Sequence, residues 1–309
     1  MRRQSKLMDR MPPSTTTQVF EAARRLEAQG IKLAHLDIGE PDFNTPQHIV
    51  EAAYREMLRG QTHYTSTRGL PQLCEAIARH EAEFGIQADP AKNILVTPGS
   101  KFAIYAFLIS VLDPGDEAVI ISPVWPSYTS IMKAAGAKPV YVKTDNSFHI
   151  DGEELSKAVT SRTRLIMVNS PNNPTGGVFD RSDLNLIRDV AVDNDLLVMS
   201  DEIYKMILYD GTRHLSIASL PDMAERTVVI DGFSKTYAMT GWRIGYAVGD
   251  EKIIQNMVKV MQNTVTCVAS FIQLAAVEAL NGPQDSVRKM VQEYNTRRNI
   301  ILRMIREIP

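Results

Sequence analysis

The sequence has few cysteines and no long apolar segment, and each of these absences excludes a class of protein. Cys74 and Cys267 are the only cysteines in 309 residues, and neither lies in a Cys-x-x-Cys pair or near a histidine cluster. A disulfide framework and a cysteine-based zinc site are therefore not expected, and we predict no metal site and a reducing compartment, the cytoplasm. The most apolar run, residues 102–112, is about half as long as the roughly 20 residues of a transmembrane helix, so no membrane partner is expected.

The chain also lacks an excess of charge of either sign. It contains 34 Lys and Arg residues against 36 Asp and Glu residues, a formal net charge of −2. This balance argues against a nucleic-acid partner and against an acidic disordered chain. With 44% hydrophobic residues, the composition is typical of a globular protein with one large domain, or one domain and a smaller lobe. The basic start of the chain is followed by polar residues and prolines, so no signal peptide is expected.

Short apolar runs rich in β-branched residues alternate with amphipathic stretches. Five such runs are bounded by charge, proline or glycine: residues 94–96, 118–121, 165–168, 196–199 and 228–230. Their continuous hydrophobicity predicts strands buried on both faces, as in a parallel sheet. The amphipathic patterns predict helices over residues 182–194 and 285–307, and two helices within residues 45–84. Strands alternating with helices predict an α/β layered domain.

Three polar turns directly follow predicted strands: residues 97–101, 170–177 and 200–204. The first opens a helix, and its backbone N–H groups suit a phosphate, although a plain strand-to-helix turn is the alternative. In the second, Asn173 would point into the crevice where α/β sheets bind ligands, or would only form a turn. In the third, Asp201 would hold a cation, with Tyr204 about one helical turn later, or would only cap a helix.

Lys235 follows the last predicted strand. A lone lysine is commonly a solvated surface charge, but the neighbours of Lys235 are mostly apolar or small, Phe233 and Tyr237 among them. Partial burial lowers the pKa of an ammonium group, and Schiff-base chemistry needs the neutral amine. Arg243 lies eight residues later and is available to bind a phosphate.

Together these stretches identify a family. The run 234–246 (SKTYAMTGWRIGY) resembles the Schiff-base lysine region of the class I/II pyridoxal-phosphate aminotransferases. Residues 170–176 are similar to the Asn-Pro-x-Gly motif of that family, and residues 200–204 are similar to its Asp-x-x-Tyr motif. Three further stretches also resemble family motifs: residues 37–43, 62–65 and 123–128. The six motifs occur in the family's order. The resemblance as a whole runs from about residue 13 to the last residue.

The resemblance implies pyridoxal 5′-phosphate as cofactor and a role for each motif residue. Lys235 would form the Schiff base with the cofactor and move a proton between substrate and cofactor. Asp201 would keep the pyridine nitrogen protonated so that the ring withdraws electrons. Asn173 and Tyr204 would hydrogen-bond the phenolic oxygen of the ring, and Trp125 would stack on it.

The resemblance also implies how the phosphate and the substrate are held. Four residues would bind the phosphate within one chain: Ser100 and Lys101 through backbone groups, together with Ser234 and Arg243. Tyr64 would reach the phosphate of a neighbouring subunit, so we predict a homodimer with composite active sites. Gly39, with Trp125 and Asn173, would contribute to the substrate pocket. One position departs from the family prototype, because Gly232 stands where the prototype has a phosphate-binding serine.

The implied fold is PLP fold type I, a three-layer α/β/α large domain with a mostly parallel sheet, here with a partial small domain. We predict a small-domain segment at residues 1–44, the cofactor-binding domain at residues 45–284, and a long helix at residues 285–309. In the family this helix leads to a C-terminal lobe that supplies the arginine for the substrate α-carboxylate. We expect that lobe to be absent here, so no residue is assigned to the α-carboxylate.

The function implied is an aminotransferase that moves an amino group between an L-amino acid and a 2-oxo acid. Two alternatives stay open at this stage. The first is another pyridoxal-phosphate reaction on the same scaffold, such as a carbon–sulfur β-lyase, because the cofactor motifs are largely shared. The second is a truncated cofactor-binding protein with little activity.

Overall fold

The computed structural model describes residue 8, residues 15–36 and residues 39–308. It contains seven strands, namely β1 (Ile94–Thr97), β2 (Glu117–Ser122), β3 (Lys138–Lys143), β4 (Thr163–Asn169), β5 (Leu197–Asp201), β6 (Thr227–Gly232) and β7 (Gly245–Val248). Ten α-helices accompany them in the described residues, namely α1 (Thr15–Ala28), α2 (Gln47–Leu58), α3 (Pro71–Ala82), α4 (Ser100–Val111), α5 (Pro126–Ala134), α6 (Gly152–Lys157), α7 (Arg181–Asp193), α8 (Glu251–Gln262), α9 (Ser270–Asn281) and α10 (Asp285–Ile305). None of these helices is both long and apolar enough to cross a membrane.

The strands form a single sheet in the order β1-β7-β6-β5-β4-β2-β3. The pairs from β3 through β2, β4 and β5 to β6 are parallel, while β7 is antiparallel to both β6 and β1. Because β7 is antiparallel to both neighbours, β1 runs in the same direction as the other five strands. Six carboxyl ends therefore meet at one edge of the sheet, which is where open α/β sheets bind ligands.

Both faces of the sheet are covered, which confirms the predicted three-layer architecture. Along β2, Ile120 packs into the core that contains Phe107 of α4, while the adjacent Val119 packs into the core that contains Ile187 of α7. Consecutive side chains of a strand point to opposite faces, so a strand covered on both sides needs apolar residues at every position.

The five predicted strands and the predicted helices occur in the structure. Two strands were not predicted. In β3, half-buried and exposed positions surround the single buried residue Val142, because this strand lies at the edge of the sheet. In β7, Gly245 begins a strand of four residues inside the lysine-bearing motif, so no separate apolar run marks it. Helices α1, α5, α6, α8 and α9 were also not predicted, and the predicted segment 1–44 lies in part outside the described residues.

The last helix packs on the segment that precedes α2. Arg297 of α10 forms a two-bond ion pair with Asp42, at 2.9 and 2.8 Å, and the ring of Phe43 meets Tyr294 edge-on, 5.4 Å between centroids. Val287 is buried. Farther along, the apolar stripe predicted for this helix is exposed, for example at Ile301.

Candidate active site

The carboxyl ends of β4 and β5 place two polar side chains next to each other. Asn169 and Asp201 are paired in register as the last residues of their strands. Asn169 donates hydrogen bonds from Nδ2 to the carbonyl of Asp201 at 2.9 Å and to that of Pro171 at 3.2 Å. Its Oδ1 accepts from the backbone N–H of Asn173 at 2.8 Å. Asn169 therefore fixes the turn that carries Asn173 relative to Asp201.

Asp201 is a buried carboxylate, 3% exposed. Its Oδ2 accepts a hydrogen bond from the Tyr128 hydroxyl at 2.6 Å, and its Oδ1 accepts one from the backbone N–H of Ile203 at 3.2 Å. Burial raises the pKa of Asp201 to about 6, against the opposing effect of the Tyr128 hydrogen bond. No Lys, Arg or His within the described part of the chain forms an ion pair with it. A buried carboxylate without a cation is costly, so this position suits a cationic ligand group.

Tyr204 and Asn173 lie side by side. The Asn173 Nδ2 atom donates to the Tyr204 hydroxyl at 3.3 Å, and burial raises the pKa of Tyr204 to about 12. The phenol therefore stays protonated near neutral pH and can donate a hydrogen bond. Together with the amide of Asn173, it offers two donors to a ligand oxygen.

Lys235 lies in the turn that follows β6, and its amine approaches both residue 39 and Tyr204. The Nζ atom donates to the carbonyl of Gly39 at 2.5 Å and lies 5.8 Å from the centroid of the Tyr204 ring. Burial lowers the pKa of Lys235, and the positive charge of Arg243 adds to this effect, whereas Glu40 opposes it. Burial and the charge of Arg243 thus favour the neutral amine, which is the nucleophilic form.

The turn before α4 forms a cradle with the start of β7. Gly99 has a φ of +85°, and a Cβ atom there would lie 2.5 Å from Nη2 of Arg243. A Cβ atom on Gly245 would lie 2.5 Å from the backbone nitrogen of Ser100. The guanidinium group thus packs directly against the N-terminus of α4, where unpaired backbone N–H groups and the helix dipole favour an anion.

Lys101 and Trp125 lie at the same end of the site. The Lys101 ammonium is 4.7 Å from the centroid of the Trp125 ring, and Trp125 meets Tyr128 edge-on at 5.4 Å. Burial lowers the pKa of Lys101, and Arg243 adds to this effect. Among the described residues, no carboxylate forms an ion pair with Lys101. Ser234 is buried, and its hydroxyl makes no hydrogen bond to another described residue.

A cavity of about 790 Å³ opens beside Lys235 and Tyr204. Its walls include the four predicted residues Gly39, Asn173, Tyr204 and Lys235. Arg298 of α10 also lines the cavity and forms an ion pair with Asp210 at 2.8 Å. Sequence reasoning did not single out Arg298, because nothing near it in the chain signals a site.

Gly232 departs from the family prototype for a steric reason. A Cβ atom at this position would lie 2.9 Å from the Cα atom of Gly245 and 3.1 Å from the carbonyl oxygen of Ile244. The close approach of β6 and β7 leaves no room for a serine side chain. The cradle formed by Arg243 and the N-terminus of α4 therefore has no serine side chain from position 232.

One predicted site residue lies apart from the others. The Tyr64 side chain is 87% exposed and has no hydrogen bond within the described residues, as expected for a group whose predicted role needs a second chain. Conversely, Tyr128 and Asn169 contact the site but were not assigned to it. Tyr128 belongs to the quoted motif 123–128, three residues after Trp125, and this spacing on α5 was the available signal.

Comparison with known proteins gives consistent matches along the chain. The sequence model of the family described as aminotransferase class I and II matches residues 31–308. The chain is 41% identical over 309 residues to the aspartate aminotransferase of Bacillus subtilis, covering 99% of this chain and 78% of that protein. It is 40% identical to aromatic-amino-acid aminotransferase 2 of Thermococcus litoralis, covering 97% of this chain and 78% of that protein.

A solved structure matches the fold as well. The aspartate aminotransferase of Thermus thermophilus with maleate superimposes with a TM-score of 0.90 at 39% sequence identity. The match covers 96% of this chain and 77% of that chain.

Proposed function

This chain belongs to the class I and II aminotransferases, enzymes that use pyridoxal phosphate to move an amino group between an L-amino acid and a 2-oxo acid, and we propose that its amino donor is an acidic amino acid, aspartate first of all. The observation that carries this proposal is the ammonium group of Lys101, a cation at the site that no described carboxylate neutralises. The relatives named aspartate aminotransferase support the same choice.

The side chains present fit the cofactor. The uncompensated carboxylate of Asp201 suits a protonated ring nitrogen, and the two donors of Asn173 and Tyr204 suit a ring oxygen. The cradle between Gly99 and Arg243 suits a phosphate. We therefore propose that these residues, with the backbone of Ser100 and Lys101, Ser234 and the aromatic ring of Trp125, hold pyridoxal phosphate. When bound, the cofactor supplies a carbonyl carbon that exchanges amino groups and a ring that accepts an electron pair.

Two of the chain's residues determine the electronic state of that ring. Asp201 is positioned to remain ionised beside a cation, because an adjacent positive charge lowers a carboxyl pKa that burial alone raises. The Tyr128 hydroxyl donates to its Oδ2 atom, which further favours the ionised form and fixes the direction of the carboxylate. The protonated phenol of Tyr204 would donate a hydrogen bond to the ring oxygen.

Lys235 is the residue that we propose transfers the substrate's Cα proton. Its amine sits at the wall of the cavity, and burial lowers its pKa, so the neutral amine forms more readily than that of a solvated lysine. A base within hydrogen-bond reach contributes roughly 10²–10⁴-fold to the rate of a proton transfer. The neighbouring carbonyl of Gly39 accepts from Nζ and orients the amine toward the cavity.

The preference for an acidic donor is testable through Lys101. Lys101→Met should lower kcat/KM for aspartate by about 10-fold or more, because a charge-assisted contact to the second carboxylate is lost. The same variant should leave kcat/KM for a neutral donor such as alanine or phenylalanine nearly unchanged. Lys133→Met, which removes an exposed lysine of α5, is the matched control. Equal losses for acidic and neutral donors would contradict the proposal, and formation of pyruvate and ammonia from a cysteine conjugate would favour the lyase alternative.

We also propose that two copies of the chain form a homodimer with composite sites. The outward face of α2 presents exposed apolar side chains, among them Tyr54 at 59% and Leu58 at 71%. Tyr64 follows close behind this helix and is itself exposed. A second copy packed on this face would cover the apolar surface and bring Tyr64 to the partner's phosphate cradle.

A mixing experiment tests the composite site. Tyr64→Phe should weaken cofactor binding by about 10-fold through loss of a charge-assisted hydrogen bond, whereas Tyr54→Phe should not. Co-refolding Tyr64→Phe chains with inactive Lys235→Ala chains, at limiting cofactor, should restore about a quarter of the wild-type activity, because half of the random dimers contain one intact site. If Tyr64 acts within its own chain, no mixed dimer has an intact site, and the activity does not rise above that of the Tyr64→Phe chains alone.

We propose that residues 45–284 form the cofactor-binding domain and that residues 1–44 and 285–309 belong to a smaller unit. The Asp42–Arg297 ion pair, which joins those two outer segments, supports this division.

We also propose the cytoplasm as the location of this protein. The free thiols of Cys74 and Cys267 support this location, because disulfides are rare in reducing compartments.

A further inference from the structure

Four buried polar side chains form an ionic cluster beneath the candidate site. Glu81, Lys205, Asp231 and Tyr246 are between 0 and 4% exposed. The Lys205 ammonium lies 2.6 Å from Oε1 of Glu81 and 2.9 Å from Oδ2 of Asp231. The Tyr246 hydroxyl lies 2.6 Å from the same Glu81 oxygen and 3.1 Å from the same Asp231 oxygen. We refer to these four residues as the buried cluster.

The buried cluster joins four separate elements. Glu81 belongs to α3, Asp231 to β6 and Tyr246 to β7, while Lys205 lies in the turn after β5. Their sequence separations reach 165 residues, so the tertiary fold alone brings them together.

Two members of the buried cluster adjoin residues proposed to act on the cofactor. Lys205 directly follows Tyr204, and Asp231 precedes Lys235 by four residues. The backbone N–H of Gly232 also donates to Oδ1 of Asp231 at 2.6 Å, which fixes the start of the turn that carries Lys235. One ammonium group thus ties the turn of Tyr204 to the turn of Lys235.

The third member reaches the anion cradle. Tyr246 directly follows Gly245, which packs against the backbone nitrogen of Ser100. A Cβ atom on Gly245 would lie only 2.5 Å from that nitrogen. The Tyr246 ring is buried against Phe233, 5.9 Å between centroids. A shift of Tyr246 would therefore move the floor of the cradle.

The chemistry of the buried cluster is not what stability alone would select. Two carboxylates share one ammonium, and Oε2 of Glu81 is buried without a hydrogen-bond partner among the described residues. Burial opposes the charge on Lys205, but the carboxylates of Asp231 and Glu81 outweigh it and raise the pKa of the amine. Apolar side chains of similar volume commonly replace such buried ion pairs without loss of stability, whereas ionic groups impose a specific arrangement.

We propose that Glu81, Lys205, Asp231 and Tyr246 are positioning residues for the cofactor site, which hold the turns of Tyr204, Lys235 and Ser100 in one mutual arrangement. None of the four needs to touch the cofactor. The inference rests on pyridoxal phosphate binding at the site proposed above. Breaking the buried cluster should therefore weaken cofactor binding although every proposed cofactor contact is retained.

The experiment measures the dissociation constant of pyridoxal phosphate for the cofactor-free full chain by quenching of tryptophan fluorescence, together with Tm. Tyr246→Phe removes only a hydroxyl and should raise the dissociation constant by about 5-fold or more. Lys205→Met should raise it by at least about 10-fold; if Lys205→Met does not fold, Tyr246→Phe alone decides.

The matched control is Glu117→Gln. Glu117 is a buried carboxylate at the amino end of β2, so it lies at the end of the strands opposite to the candidate site. It accepts hydrogen bonds from Arg162 at 2.6 Å and from Thr160 at 2.7 Å. This variant should lower Tm while leaving the dissociation constant within about twofold of the wild-type value. If folded Tyr246→Phe and Lys205→Met also bind the cofactor with wild-type affinity while Tm falls, the buried cluster is merely structural and the inference is wrong. Failure of the wild-type chain to bind pyridoxal phosphate would overturn the proposed function as well.

Discussion

Replacing Lys235 with alanine is expected to abolish amino transfer, with kcat falling by about 10⁴-fold or more. The amine has two proposed tasks, covalent attachment of the cofactor and transfer of a proton, and an alanine side chain can do neither. The fold should persist, because Lys235 is only half-buried and its side chain donates a hydrogen bond to the loop carbonyl of Gly39, not to a core residue. Turnover, Tm and the absorbance of the bound cofactor would be measured on the same preparation.

The lysine assignment has a direct chemical check. Borohydride reduction of the wild-type chain loaded with cofactor, followed by peptide mapping, should place the label on Lys235. Lys252→Ala removes an exposed lysine at the start of α8 and should retain both the label and full turnover. Recovery of the label on any other lysine would refute the assignment.

The second large effect is expected at Asp201. Asp201→Ala should lower kcat/KM by about 10²–10³-fold, because a preorganised charge beside the developing electron pair is lost. Cofactor binding should weaken less, since the proposed phosphate and ring-oxygen contacts do not involve this carboxylate. Turnover and cofactor affinity measured in parallel separate the two effects.

Tyr128→Phe provides a graded companion to Asp201→Ala. It removes the hydroxyl that donates to Asp201 but keeps the carboxylate and the ring packing, so kcat/KM should fall by about 10-fold. Because that hydrogen bond opposes the rise in the pKa of Asp201, the loss should be larger at the acid end of the pH profile.

One outcome would contradict the role proposed for Asp201. Full turnover in Asp201→Ala would mean that the carboxylate only organises the turn at Ile203.

Much of the fold could be predicted because burial on both faces leaves a clear trace in the sequence. The central strands β2, β4 and β5 are continuously apolar, since every side chain enters one of the two cores. The edge strand β3 has no such trace because solvent covers part of it. Strand β7 begins with Gly245, where the close approach to Ser100 and Gly232 requires a glycine. No separate apolar run therefore marks this strand in the sequence.

The candidate site could be predicted as a set of motifs, because each motif follows a strand whose carboxyl end lies at the common edge. The roles assigned to Lys235, Asp201 and the other motif residues stay predictions. Tyr128 was missed as the partner of Asp201 because the two are 73 residues apart. The buried cluster was missed for the same reason, since an isolated glutamate, lysine or aspartate carries no signal of burial.

The sequence by itself determined the alternation of strands and helices, the order of the motifs and the residue types available for chemistry. These properties are local, since they depend on periodicity and on neighbours within a few residues. Only the tertiary structure decided which charges face each other. Within the residues that it describes, it left Asp201 buried without a paired cation and Lys101 without a paired carboxylate, yet enclosed Lys205 between two carboxylates. The physical reason is that burial and charge pairing arise between segments distant in the chain, and they set the free energy of each charged group more strongly than its sequence neighbours do.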